Sequence, residues 1–239
     1  MQVSGRVRLG WVCTLLLAFL AVRVAGSAPD NRFHLEHSKD QFGMRSHGVV
    51  EILSGHREKF YPLPQSTSQD YIRLRPADVR LNPFNPRSYE RQEVIGPSQV
   101  EEGKIWFGKA FYDAEGCRGV GAFGYFDTIT RSFTLFSPPE VAPYEVSAIL
   151  VQRDTVWLGL DHFGEDISTY PGGLVRWDKN THEARRYPIE FVVSGIEAQG
   201  DSLRLQTKGG YALLRDNKLQ RFLKNGREID GFPPPPTQY

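Results

Sequence analysis

The chain has 239 residues, a formal net charge of +1 and 40% hydrophobic residues. A balance this close to neutral leaves no electrostatic footprint for nucleic acid. Two cysteines, Cys13 and Cys117, give no disulfide framework, so packing must supply the stability.

Residues 1–26 read as an export signal. Arg6 and Arg8 form a basic start, Leu9–Val22 is apolar, and Val24 and Gly26 sit at small-residue positions suited to cleavage. The apolar run is short for a bilayer span and Arg23 closes it, so the mature protein is expected not to be integral to a membrane. Removing these residues takes away three arginines and no acid, which moves the formal charge to −2. The expected location is extracytoplasmic, periplasmic or secreted.

The expected domain covers residues 27–225. It opens with a polar stretch holding His34, His37 and His47. Gly48–Leu63 then runs glycine, alternating strand, turn, outer strand, Tyr-Pro, and reads as the back half of a first repeat unit. Residues 64–97 do not fit the period. Within them Tyr71–Leu74 alternates like a strand, and LNPFNPRSYERQ reads as loop. The stretch is either an insertion over one face or a strand that closes the ring.

From residue 98 a repeat emerges. Under a shift of 51 residues Trp157 falls on Trp106, Gly159 on Gly108, Gly172 on Gly121, Asp178 on Asp127 and Thr181 on Thr130. Under a shift of 47, Val146, Ser147, Ile149, Gln152, Asp154 and Leu158 meet Val193, Ser194, Ile196, Gln199, Asp201 and Leu205. Such periods are those of propeller blades. The best-defined unit, 146–187, predicts a β-branched strand at Val146–Val151 and an apolar strand at Thr155–Leu160. A third strand follows at Leu174–Trp177, then a turn at Asp178–Thr181 and a polar outer strand to Tyr187. Trp106, Trp157 and Trp177 are expected to pack between blades. The unit at about 193–223 is truncated, with only Thr207-Lys208-Gly209 between its second and third strands. Residues 226–239 are a Pro-rich tail. The expected fold is all-β and β-propeller-like, with about four blades, the first and last degenerate, in a ring that can be incomplete.

The units VWLGL…GGLVRWD and IWFGK…GYFDTIT resemble two related propeller repeat groups. One belongs to bacterial two-component-regulator sensor propellers, with Trp-x-Gly, Gly-Leu and an aspartate turn. The other is the streptogramin-lyase-like repeat, echoed by Tyr61-Pro62-Leu63-Pro64. The resemblance covers about half the chain, and its motifs specify packing and not chemistry. In the sensor group it implies an extracytoplasmic ligand-reading domain. In the lyase group it implies an elimination using a histidine, glutamates and magnesium, which no local motif here allows to be carried over.

Two connections between second and third strands are long: 108–121 (GKAFYDAEGCRGVG) and 159–172 (GLDHFGEDISTYPG). Loops of that length in compact units commonly bind. The first carries Phe111, Tyr112, Asp113, Glu115 and Arg118; the second carries Asp161, His162, Phe163, Glu165, Asp166 and Tyr170. The aromatics suit stacking, and the acids with Arg118 suit polar groups of a small molecule, glycan or peptide. A solvated loop pair is the bland alternative. A divalent metal is the chemical one: the oxygen-rich loops suit Ca²⁺ or Mg²⁺, and the histidines Zn²⁺, although no spacing matches a metal motif. Cys117 beside Arg118 lacks a partner motif for catalysis. No catalytic residue or cofactor is identified. The leading reading is an exported propeller-like binding or scaffold protein. The alternative is a lyase- or hydrolase-type enzyme using loop acids and a histidine. Uncovered edge strands would allow oligomerisation.

Overall fold

The computed structural model describes residues 32–33, 41–81, 90–91, 93–111, 117–161, 172–187, 189, 191–207 and 209–229. The signal-like segment 1–26 and residues 230–239 of the expected tail lie outside them, whereas 226–229 of that tail are described and end in a strand, Glu228–Ile229, paired to the sheet. Four antiparallel meanders follow one another along the chain. The first holds β1 (Arg32–Phe33), β2 (Gln41–Arg45), β3 (Gly48–Ile52) and β4 (Glu58–Pro62). Two short helices come next, α1 (Ser68–Leu74) and α2 (Pro76–Leu81), then β5 (Glu90–Arg91). The second meander is β6 (Val94–Glu101), β7 (Lys104–Ala110), β9 (Phe123–Asp127) and β10 (Ser132–Phe136). Between its middle strands lies β8 (Cys117–Arg118), which pairs in parallel with β5. The third is β11 (Glu145–Gln152), β12 (Thr155–Asp161), β13 (Gly173–Asp178) and β14 (Ala184–Tyr187). The fourth is β15 (Val193–Gln199), β16 (Ser202–Thr207), β17 (Gly210–Arg215) and β18 (Lys218–Leu223), with β19 (Glu228–Ile229) as a fifth strand.

Three apolar cores join these sheets in series. Phe42, Met44 and Val49 of the first sheet meet Ile95, Ile105, Phe107 and Phe126 of the second. Trp106 and Phe123 of the second meet Val146, Val156, Leu158 and Trp177 of the third. Trp157 and Leu174 of the third meet Val193, Ile196, Leu203 and Leu205 of the fourth. All three tryptophans of the repeat are therefore buried between blades, as their spacing predicts. Sheets stacked in series by their faces, each with its first strand innermost, form a propeller arc.

The glycine of Trp-x-Gly explains how close the blades come. A Cβ on Gly108 would lie 2.3 Å from Cγ1 of Val146, on the next blade's first strand. A Cβ on Gly159 would lie 2.3 Å from the carbonyl of Val193, one blade further on. No side chain fits there, so the glycine sets the blade spacing. Polar staples reinforce the joints. Gln99 exchanges two hydrogen bonds with the Val151 backbone, and Ser147 donates to the Val193 carbonyl at 2.8 Å. Each first strand from the second blade onward also shifts register near its start, at Ile95/Ser98, Val146/Ala148 and Val193/Gly195.

The repeat extends to the turns. Asp127 accepts from the Ile129 and Thr130 amides, and Asp178 from those of Asn180 and Thr181. Arg131 and His182, equivalent under the 51-residue shift, both take positive φ, 56° and 60°.

Three local expectations need correction. The first unit is a four-stranded sheet and not a half-blade: Phe42 and Met44 alternate inward on β2, a signal too short to register beside the polar residues around it. Tyr71–Leu74 is helical, because Thr67 and Asp70 form a reciprocal capping box that starts a helix. That helix stops at Arg75, whose φ of −126° suits the residue before Pro76. The second blade begins at Val94 and not at 98; the register shift around Pro97 hides its first residues.

The ring is open. Among the described residues no buried cluster joins the fourth sheet to the first. In the fourth sheet, position 206 corresponds to Gly159 and carries an exposed glutamine. Gly159→Leu is expected to lower the unfolding free energy by about 2 kcal/mol or more. Gln206→Gly, at the equivalent position with no blade on it, should change it by less than about 1 kcal/mol. Urea denaturation followed by tryptophan fluorescence reads both.

Candidate functional site

The long connections leave β7 and β12 at one end of the arc. The first strands β6 and β11 begin at that same end, because strands one and two are antiparallel. Both connections start later than expected, since 108–110 and 159–161 are strand. Of the predicted site residues, Phe111 and Asp161 stand at the loop bases. Phe111 is buried, and its ring occupies the space a Cβ on Gly119 would need. Arg118 belongs to the backbone pair of β8 with β5. Tyr112, Asp113, Glu115, His162, Phe163, Glu165, Asp166 and Tyr170 lie outside the described residues, as do His34 and His37. His47 is in the exposed β2–β3 turn.

Two acids that sequence reasoning missed, one half-buried and one fully buried, hold this end together. Glu145 opens β11 and lies directly across the ladder from Asp161. Opposed residues on adjacent strands have Cα atoms about 4.5–5.5 Å apart, so two carboxylates share one small volume. The Phe111 amide donates to Glu145 Oε2 at 3.3 Å, which ties the first loop's base to the third blade. Burial, with the Asp161 charge second, pushes the Glu145 carboxyl up to about 7, against the opposing pull of that amide.

The other acid is Glu93, fully buried beside the equally buried Lys109. Lys109 donates to Glu93 Oε2 at 2.5 Å and to the Pro64 carbonyl at 2.7 Å. Glu93 also accepts from the amides of Ser66 and Val120. Arg75, at the end of α1, donates to the Gly119 carbonyl at 2.9 Å, and Tyr71 packs on Val120 and Ala142. Residues 64–75 are thus a strap over the loop end, gripping both sides of the first long connection. A cavity of about 320 Å³ lies between strap and blade, lined by Ser66, Arg73, Leu74, Lys109, Leu135 and Ser137 among others.

The repeat itself carries a signal for both acids. Under the shifts that align the blades, Glu145 falls on Val94 and Val192. Glu93 falls on Tyr144, and Lys109 on Leu160. Charges stand where sister blades place apolar residues. Among the described residues, no group of three or more histidine, cysteine, aspartate or glutamate side chains could hold a metal. No described helix is long and apolar enough to cross a membrane.

The serial four-stranded meanders and their radial joints define an all-β, propeller-like protein. No family model matches the chain, and no curated protein matches its sequence. Solved structures with a similar fold include both groups that the blade motifs resemble. One is virginiamycin B lyase from Staphylococcus aureus, at 12% identity and a TM-score of 0.46, covering 82% of this chain and 56% of that one. Two are extracellular domains of putative hybrid two-component systems from B. thetaiotaomicron. They have identities of 14% and 12% and TM-scores of 0.49 and 0.43; the match covers 83% and 80% of this chain and 27% of each of those. The chain spans about half the length of the lyase and about a quarter of the sensor domains.

Glu145 is more readily protonated in the fold than in the unfolded chain. Its stabilising effect is complete below the ordinary carboxyl value of 4.5 and is lost as pH rises through about 7. Glu145→Gln should therefore gain stability relative to the parent on going from pH 5 to pH 8, read by urea denaturation at both values.

Proposed function

We propose that the chain is an extracytoplasmic, propeller-type binding protein whose ligand surface is the end bearing the two long connections. The observation that carries this reading is the Glu145–Asp161 pair at the base of both loops. A partly buried pair of opposed carboxylates destabilises the ladder, so its place at the loop bases is better explained by a ligand than by packing. The strap adds support: buried charge anchors the first connection at both sides, which preorganises a binding edge. A ligand offering hydroxyl or amine donors suits the pair, as in a glycan, a peptide or a polar small molecule. An export segment at 1–26 fits the same reading.

One observation favours a second reading. A carboxyl near 7 directly across the ladder from a second carboxylate is matched to general acid–base work, which would make the chain a lyase- or hydrolase-type enzyme acting through Glu145 and Asp161. The test is the double variant Glu145→Gln, Asp161→Asn, screened beside the parent on glycan and peptide arrays and for turnover of every bound species. A binder loses at least about tenfold in affinity and neither form turns anything over. An enzyme loses turnover by orders of magnitude. Identical array profiles for parent and variant would remove this end of the arc as the site.

A further inference from the structure

The outward face of the fourth sheet departs from the repeat in one direction only. In the third blade the face that receives the next blade is apolar and flat: Leu150, Trp157, and the Ala148–Gly159 pair under Val193. The same ladder positions in the fourth sheet hold Glu197, Arg204, and the Gly195–Gln206 pair. The small and large members have exchanged, and the Gln206 side chain now lies over Gly195. Blade-stacking chemistry is replaced by hydrogen-bonding and cationic side chains.

These side chains line a groove of about 290 Å³, with Ser194, Arg204, Gln206, Thr207, Gly210, Tyr211 and Lys224 as its walls. The groove opens where Thr207 pairs with Gly210, at the same end of the arc as the long connections. Among the described walls two are cationic and none is acidic. Lys224 is exposed and has no ion pair among the described residues. Arg204 lies over the Tyr211 ring, 4.6 Å from its centroid, and Tyr211 stacks on Phe222 at 4.9 Å. Glu197 sits behind the groove, accepting from Gln206 Nε2 at 2.9 Å and standing 3.8 Å from Arg204. With both partners about half exposed, that ion pair holds Arg204 only weakly. An aromatic edge, two cations and neutral donors in one concave site form the pattern of a small-ligand pocket with an anion-binding end.

We infer that this groove binds a small carboxylate with a flat apolar body. The carboxylate meets Arg204 and Lys224; Thr207 and the second Nε2 hydrogen of Gln206 complete its hydrogen bonds, and the body lies against the edge of Tyr211, whose faces Arg204 and Phe222 cover. The site is distinct from the Glu145–Asp161 pair and does not depend on it.

The test is a titration of the isotope-labelled protein with benzoate, followed by amide shifts, with benzamide and acetate as companion probes. Saturable shifts at Ser194, Thr207 and Tyr211 are expected with benzoate. Benzamide, lacking the charge, and acetate, lacking the body, should each bind at least tenfold more weakly. Lys224→Glu, in an exposed turn, should weaken benzoate at least tenfold while the remaining amide spectrum is preserved. Absence of saturable shifts, equal binding of benzamide or acetate, or undiminished binding by the Lys224 variant would each overturn the assignment.

Discussion

The structure depends on how closely one blade's second strand approaches the next blade's first. At Gly108 and Gly159 the gap is too small for a single methyl group, because Val146 and the Val193 carbonyl occupy it. Every other feature of the joints follows from that separation. Trp106 and Trp157, two residues before each glycine, are pressed into the cores at the joints. The first strands align so that Gln99 and Ser147 reach across to backbone groups. The same contact fixes which ends of the strands gather at one rim, and so where the long connections emerge.

At that rim the chain departs from its own repeat. Glu93, Lys109 and Glu145 occupy positions that sister blades fill with tyrosine, leucine and valine. Breaking a buried ion pair such as Glu93–Lys109 typically costs about 3–5 kcal/mol, whereas replacing both partners with apolar groups is often neutral. Stability alone therefore does not call for the pair. The pair binds the strap 64–75 to both sides of the first long connection, through Pro64, Ser66 and Val120. The rim is held by directional bonds where the rest of the arc is held by packing.

Most of the architecture was legible because the repeat is written in residues with unambiguous roles. Trp-x-Gly marks a joint, and Asp with Thr three residues on marks a turn. The first blade was half-legible: β2 has two inward residues, too few for a period to stand out. The strap was misread because four residues of helix and four of strand look alike at Tyr71–Leu74, although Thr67 and Asp70 already spelled the cap. Phe111 and Asp161 stand out from loop length and content, and the structure puts them at the loop bases. Glu145 was not, because it lies at the start of a strand, far in sequence from either loop, and its significance exists only once β11 and β12 pair. The register shifts that align the blades show it as an acid among valines, so comparison with the chain's own copies finds what a linear scan cannot.

The central claim is that the Trp-x-Gly glycine sets the blade spacing by direct contact with the following blade. A double-mutant cycle on Gly108→Ala and Val146→Gly measures that contact. Removing the Val146 side chain, whose Cγ1 and Cβ would lie 2.3 and 2.4 Å from the new methyl group, makes room for it, so the account predicts that the two changes are not additive. The double variant should be more stable than the sum of the single effects implies, by about 1 kcal/mol or more. Strict additivity would mean that residues 108 and 146 do not touch, and the radial stacking of the blades would fall with that contact.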